Sequence, residues 1–182
     1  MVDVEGNGQR PPDLVELAVV PIVGGVIQEP LNWMVRPGQP ITPMARRIHG
    51  ISNEDVDGAD TFNDVADSVR QALDVDALVA HAAHVDVGVL QRKLGDWDCP
   101  EIFDTLKLAR RLLPDRDSYK LGALAEALSL VGALPSRLKP HRAEYDAIVC
   151  ARLFMYLAGR HSLEELRDLP PGGTSDEAPA LF

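Results

Sequence analysis

The sequence predicts a mixed α/β fold, and three observations carry that expectation. The first third consists of short segments dense in Val and Leu, punctuated by Gly and Pro, which is the pattern of strands and turns. The remainder alternates short apolar runs with stretches of helical periodicity. Length and composition agree, since 182 residues with 46% hydrophobic side chains suit one domain with an ample core, or one domain plus a tail.

Met1 to Val4 is a short apolar run, closed by Gly6-Asn7-Gly8 and Pro11-Pro12. Asp13 to Ile22 is rich in Val and Leu, and Gly24-Gly25 turns the chain into Val26 to Val35, so these two segments predict an antiparallel hairpin. Thr61 is a good N-cap for a helix to Leu73, along which Phe62, Val65, Ala66, Val69 and Leu73 recur at helical spacing. Ala77 to Ala80 predicts a buried strand, followed by a helix over about Val85 to Leu94. Glu101 to Phe103 predicts a further strand, leading into a helix over Thr105 to Leu113. Ser118 or Tyr119 opens a helix to about Leu130, and Pro140 precedes a last long helix, about Arg142 to Ala158. From Asp168 the composition turns to Pro, Gly, Ser and acid. The domain is therefore expected over 1–167, with 168–182 a disordered tail. No internal repeat is evident. A hairpin followed by β-α-β-α units means a mixed sheet with helices on it.

Charge narrows the function. Eighteen basic residues against 28 acidic ones give a net charge of −10. That opposes a protein that coats polyanions, because non-specific nucleic-acid affinity comes from Lys and Arg neutralising phosphates. It leaves room for a nucleic-acid enzyme whose acids hold metal ions. Two cysteines, Cys99 and Cys150, are too few for a disulfide framework. No apolar run reaches membrane-spanning length and no signal-peptide pattern opens the chain, so a cytoplasmic protein without membrane contact is expected.

Four carboxylates sit where the apolar pattern calls for burial. Asp3 and Glu5 are two apart in the first strand and so project from one face. Asp86 opens the helix after the Ala77–Ala80 strand, with Val89 and Leu90 at i+3 and i+4. Asp146 lies on the stripe Ala143, Cys150, Leu153, Leu157. Singly these are uninformative: with 18 Asp and 10 Glu, chance gives roughly one Asp-x-Glu in a chain of this length. Asp86 also suits a helix N-terminus, and Asp146 could pair with Arg142 at i−4. Together they are informative, because several buried carboxylates repel one another unless a hard divalent cation joins them. His141 adds to the set. It is about 140° from Asp146 if both are helical. Pro140 delays the helix, however, so His141 hangs from the preceding loop and can reach the face of Asp146. There an imidazole is a natural general base for water.

With these residues in place the sequence resembles the DEDDh group of 3′–5′ exonucleases, the DnaQ-like type found in the proofreading epsilon subunit. The resemblance runs from Val2 to about Ala158. Its motifs are Asp3-Val4-Glu5, then Val79-Ala80-His81-Ala82-Ala83-His84-Val85-Asp86, then His141-Arg142-Ala143-Glu144-Tyr145-Asp146-Ala147. Arg36 to Ile41, Ile48-His49-Gly50-Ile51-Ser52, Asp104-Thr105-Leu106 and Ser118 to Leu121 also look like the family's connecting segments. The resemblance implies a ribonuclease-H-like fold with a five-stranded mixed sheet flanked by helices. It implies two Mg²⁺ or Mn²⁺ ions, with Asp3 bridging them, Glu5 and Asp146 completing one site, and Asp86 holding the other directly or through water. His141 would be the base, and nucleoside 5′-monophosphates the products. Gly6, Asn7, Gly8 and His49 would lie near the terminal nucleotide. There are departures. Gly6-Asn7-Gly8 replaces the family's Thr-Thr-Gly, Ala82 stands for a frequent Asn, and Val85 for a frequent Phe. His84 is an extra histidine, read as a surface residue, with a substrate contact as the alternative. The first strand has only two residues before Asp3, so a start upstream of Met1 is an open expectation.

Lys107, Arg110, Arg111, Arg116, Lys120, Arg137, Lys139 and Arg142 outnumber Asp115, Asp117 and Glu126 in their span, and some could guide a phosphate backbone. Few aromatic residues argue for a short contact with a single strand. Single-stranded DNA 3′ ends are the expected substrate. RNA ends or short oligoribonucleotides are the alternative, and a non-catalytic binding module a more distant one. The terminal Leu181-Phe182 resembles, without the usual Gln, peptides that dock into sliding clamps.

Overall fold

The computed structural model describes residues 1–167; the expected tail and the Leu181-Phe182 clamp peptide lie outside them. The architecture grows from β2 (Leu14–Val19), whose six residues are all buried and which therefore sits inside the sheet. Antiparallel β1 (Val2–Gly6) lies on one side of it and antiparallel β5 (Leu31–Met34) on the other. In this register Asp3 faces Ala18 and Glu5 faces Glu16. A bulge between Glu5 and Gly6 then ends the pairing.

The expected hairpin forms but is interrupted. Pro21 and Pro30 cannot donate to a ladder. The chain accordingly leaves β2 after Val19 and makes a separate small ribbon, β3 (Ile22–Val23) with β4 (Val26–Ile27). Gly24 and Gly25 both take positive φ at its tip, as a tight two-residue hairpin turn requires.

The parallel part is β6 (Ala77–Ala80) beside β7 (Glu101–Asp104), joined through α4 (His84–Leu94). β6 packs beside β1, yet the two share no continuous ladder, so three-stranded and two-stranded sheets stand where five continuous strands were expected. One local reason is visible. Residues 1, 3 and 5 bond to β2, which turns the Val4 amide the other way, and there it donates to Asp86 Oδ1 at 3.0 Å rather than to β6.

Helices cover both faces. On one, α5 (Thr105–Leu112), α6 (Leu121–Ala127) and α7 (Ala143–Ala158) pack over Ala18, Val20, Val79 and Phe103. Ala143, Ala147 and Ala151 give α7 a face of small side chains, and it lies against β1 and β2. On the other, α3 (Phe62–Ala72) and α4 cover Val2, Leu17, Val19 and Leu78. Two helices missed by periodicity, α1 (Pro43–His49) and α2 (Asn53–Val56), are too short to show it and are set by their ends. Thr42 caps α1, Pro43 opens it and Gly50 closes it in the left-handed region. Ser52 and Asp55 form a capping box for α2. A final short helix, α8 (Leu163–Leu166), ends the described chain. Among the described residues no helix is long and apolar enough to cross a membrane.

Candidate active site

Asp3 and Glu5 project from the same face of β1 toward the first turn of α7, where Asp146 meets them. One carboxylate oxygen from each of the three lies within 4.8 Å of the others. Asp86, in the first turn of α4, is adjacent rather than part of this close trio, and its Oδ1 is held by the Val4 amide between Asp3 and Glu5.

The electrostatics follow from that crowding. Burial holds the Asp3 carboxyl well above its ordinary range, and the charges of Asp86, Asp146, Glu5 and Glu16 push it the same way. Burial, then Asp146, Glu16 and Asp86, push Glu5 up to about 8, with Arg142 opposing. Burial pushes Asp86 up to about 7 against the Val4 hydrogen bond, and raises Asp146 against the pull of His141. Oxygen-only donors that cannot all ionise by themselves are the set that Mg²⁺ or Mn²⁺ satisfies, so the residues fit a hard divalent cation.

His141 is exposed and takes the left-handed conformation at φ 61°. Its backbone amide donates to Asp146 Oδ2 at 3.1 Å. The residue borders the same open cleft as Asp3 and Asp146, a space of about 740 Å³ whose far wall includes Tyr119, Lys120 and Arg110. Of the basic run, Arg137 and Arg142 are paired with Glu144 and Glu16, and Arg111 donates to the Glu165 carbonyl.

On the opposite flank the structure uses the expected nucleotide-side residues internally. Asn7 is fully buried. Its Oδ1 accepts the amides of Gln9 and Asp13, and its Nδ2 donates to the Gln39 carbonyl. His49 is also buried. Nδ1 accepts the Ile51 amide, which leaves Nε2–H to donate to the Gly6 carbonyl at 3.2 Å. These side chains shape the Gly6–Gly8 backbone. Gly8 itself is exposed, at φ 76°. His84 is exposed at the start of α4.

Three residues at the site were given no role by the sequence reading. Asp104 accepts the amides of Ala82 and Ala83 and also caps α5, so one carboxylate pins the turn that delivers Asp86. His81 bridges Thr105 Oγ1 and the Tyr119 carbonyl, tying the cleft wall to the end of β6. Glu16 is a buried acid inside the run Leu14-Val15-Glu16-Leu17-Ala18, the same signal that exposed the other four.

Comparison with known proteins agrees with this geometry. The family model RNase_T, described as exonuclease, matches residues 1–154. Exodeoxyribonuclease 10 of Escherichia coli strain K12 is 36% identical over 155 residues, covering 85% of this chain and 66% of that protein. The 3′-5′ exonuclease DinG of Bacillus subtilis strain 168 is 34% identical over 178 residues, 93% of this chain but 18% of its own length. The chain thus spans about two thirds of one relative and under a fifth of the other. Among solved structures, exonuclease X in complex with 5′ overhanging duplex DNA aligns with a TM-score of 0.75 and 32% identity, over 92% of this chain and 96% of that one. Escherichia coli exonuclease I in complex with a dA16 oligonucleotide shares the fold at a TM-score of 0.72 and 16% identity, over 92% of this chain and 41% of that one.

Proposed function

The chain belongs to the DnaQ-like, DEDDh 3′–5′ exonucleases, a divalent-metal-dependent family, and from that premise we propose that residues 1–167 form a nuclease domain that removes nucleotides from single-stranded DNA 3′ ends. The observation that carries the reading is the convergence of Asp3, Glu5 and Asp146 within 4.8 Å, in a cleft that His141 also borders.

In this reading Asp3, Glu5 and Asp146 would hold one divalent ion, and Asp86 beside them would help to hold a second. When bound, such ions lower the pKa of water and stabilise charge on the leaving 3′-oxygen. The chain's own residues do the rest. His141 takes the proton of the attacking water through its ring, while its backbone amide keeps Asp146 oriented. Asp86 stays aimed at β1 because Val4 N–H holds one of its oxygens. Arg110 and Lys120 on the cleft wall attract the phosphates behind the scissile bond. The product is a nucleoside 5′-monophosphate.

The test is digestion of 5′-labelled single-stranded DNA, RNA of equal sequence, and a duplex with a recessed 3′ end, the last because exonuclease X was solved with such DNA. The expected result is a ladder shortening from the 3′ end in Mg²⁺ or Mn²⁺, abolished by EDTA, by Asp3→Ala and by His141→Ala. Faster loss of RNA would move the substrate to RNA ends. No cleavage by folded, metal-loaded protein would leave a binding role instead.

A further inference from the structure

Glu16 occupies the centre of β2 at 7% exposure, directly opposite Glu5. Two acids facing each other across an antiparallel pair repel, so Glu16 needs compensation that Glu5 cannot share. It finds it in Arg142. The guanidinium Nε lies 2.9 and 3.2 Å from the two carboxylate oxygens, and Nη2 adds a further bond to Oε1. The Ala143 amide, at the start of α7, donates to the same carboxylate at 2.9 Å. One buried side chain therefore satisfies the helix end one turn ahead of Asp146 and grips the cation beside it.

Arg142 is close enough to Glu5 for its charge to act there, and it also acts on Asp55 of α2 and on His49. A guanidinium fork matches a carboxylate well. Released from Glu16, it would be an internal competitor for the same oxygens that a divalent cation needs.

We propose that Glu16 is a positioning residue that holds Arg142 off the carboxylate trio and so keeps Asp3, Glu5 and Asp146 open to a divalent ion. The inference rests on the metal-dependent reading above. A purely structural role for the pair, anchoring α7 and nothing more, makes a different prediction. Damage from losing Glu16 would then follow fold stability, and removing Arg142 as well would not repair it.

The experiment is titration with Mn²⁺, followed by loss of the free-ion electron paramagnetic resonance signal, on wild type, Glu16→Gln, Arg142→Lys and the double variant Glu16→Gln/Arg142→Gln. Circular dichroism monitors folding in each. Gln at position 16 keeps an oxygen for the Ala143 amide but cannot neutralise Arg142. The expected result is Mn²⁺ binding weakened by about tenfold in Glu16→Gln, the scale seen when partners behind metal ligands are changed. The double variant recovers most of that loss. Arg142→Lys, which retains both charges but loses the fork, weakens binding in the same direction and keeps the test decisive if the Gln variant does not fold. Wild-type affinity in Glu16→Gln, an unrepaired double variant, or an unaffected Arg142→Lys would overturn the proposal while leaving the nuclease reading intact. Folded wild type that binds no Mn²⁺ would overturn both.

Discussion

At the scale of single residues, the four acids work against the fold that holds them. A carboxyl whose pKa is higher in the folded chain than in the unfolded one binds more protons when folded, so stability falls as pH rises between the two values. For Glu5 that window runs from the ordinary carboxyl range to about 8, and Asp86 titrates within it near 7. The metal-free protein is therefore expected to lose stability steadily from about pH 5 to about pH 8, read as the midpoint of urea unfolding. Mn²⁺ should reverse the trend, because binding requires deprotonated ligands and so tightens with pH. Asp3→Asn should abolish digestion, yet raise the stability of the metal-free chain near pH 8 by removing one member of a repelling set. A metal-free Asp3→Asn variant no more stable than wild type would refute the account of crowding. The four acids were legible because each interrupts an apolar pattern. Glu16 interrupts one too, but it lies in a segment read simply as a strand. Helical spacing offers Asp146 as an alternative partner for Arg142; the residue stands instead at the N-cap, outside the helix, where that spacing does not apply and Glu16 is within reach.

Elements deliver these residues through their ends more than their middles. Asp104 closes β7, caps α5 and holds the amides of Ala82 and Ala83, where Ala82 sits at φ 63°. Asp104→Ala is expected to cost about 1–2 kcal/mol in denaturant unfolding, in the range of a lost helix cap. It should also weaken metal binding by loosening the turn before Asp86. Gly8 sets the other flank. A Cβ there would stand 2.3 Å from Thr42 Oγ1, and its φ of 76° suits glycine. Gly8→Ala should displace the cap of α1 and destabilise the protein by about 1–3 kcal/mol, measured the same way. Long elements were legible from periodicity: α3, β6, α4, α5 and α7 lie within a few residues of expectation. The short helices α1 and α2 have no length in which a period can repeat, and only their caps announce them. The expected strand pair around Gly24-Gly25 broke at prolines whose effect on the ladder outweighs the surrounding Val and Ile.

Over the whole molecule, two cores back to back on the strands make the platform, and α7 crosses it against β1 and β2. The α/β class was readable from the order of the patterns, whereas the division between three antiparallel and two parallel strands was not. One local determinant is the group that takes the Val4 amide, and Asp86 takes it from 82 residues away. The carboxylate trio joins residues near the two ends of the described fold, Asp3 in the first strand and Asp146 in the longest helix. An ion held between them, as proposed, would therefore be a cross-link as well as a reagent. It would fasten the opening strand to the helix that completes the sheet's cover, since a ligand that binds only the folded form stabilises it by mass action. Limited proteolysis should proceed more slowly in Mn²⁺ than in EDTA, and that protection should vanish in Asp3→Ala. A chelator added to stop the reaction would also unbuckle the domain.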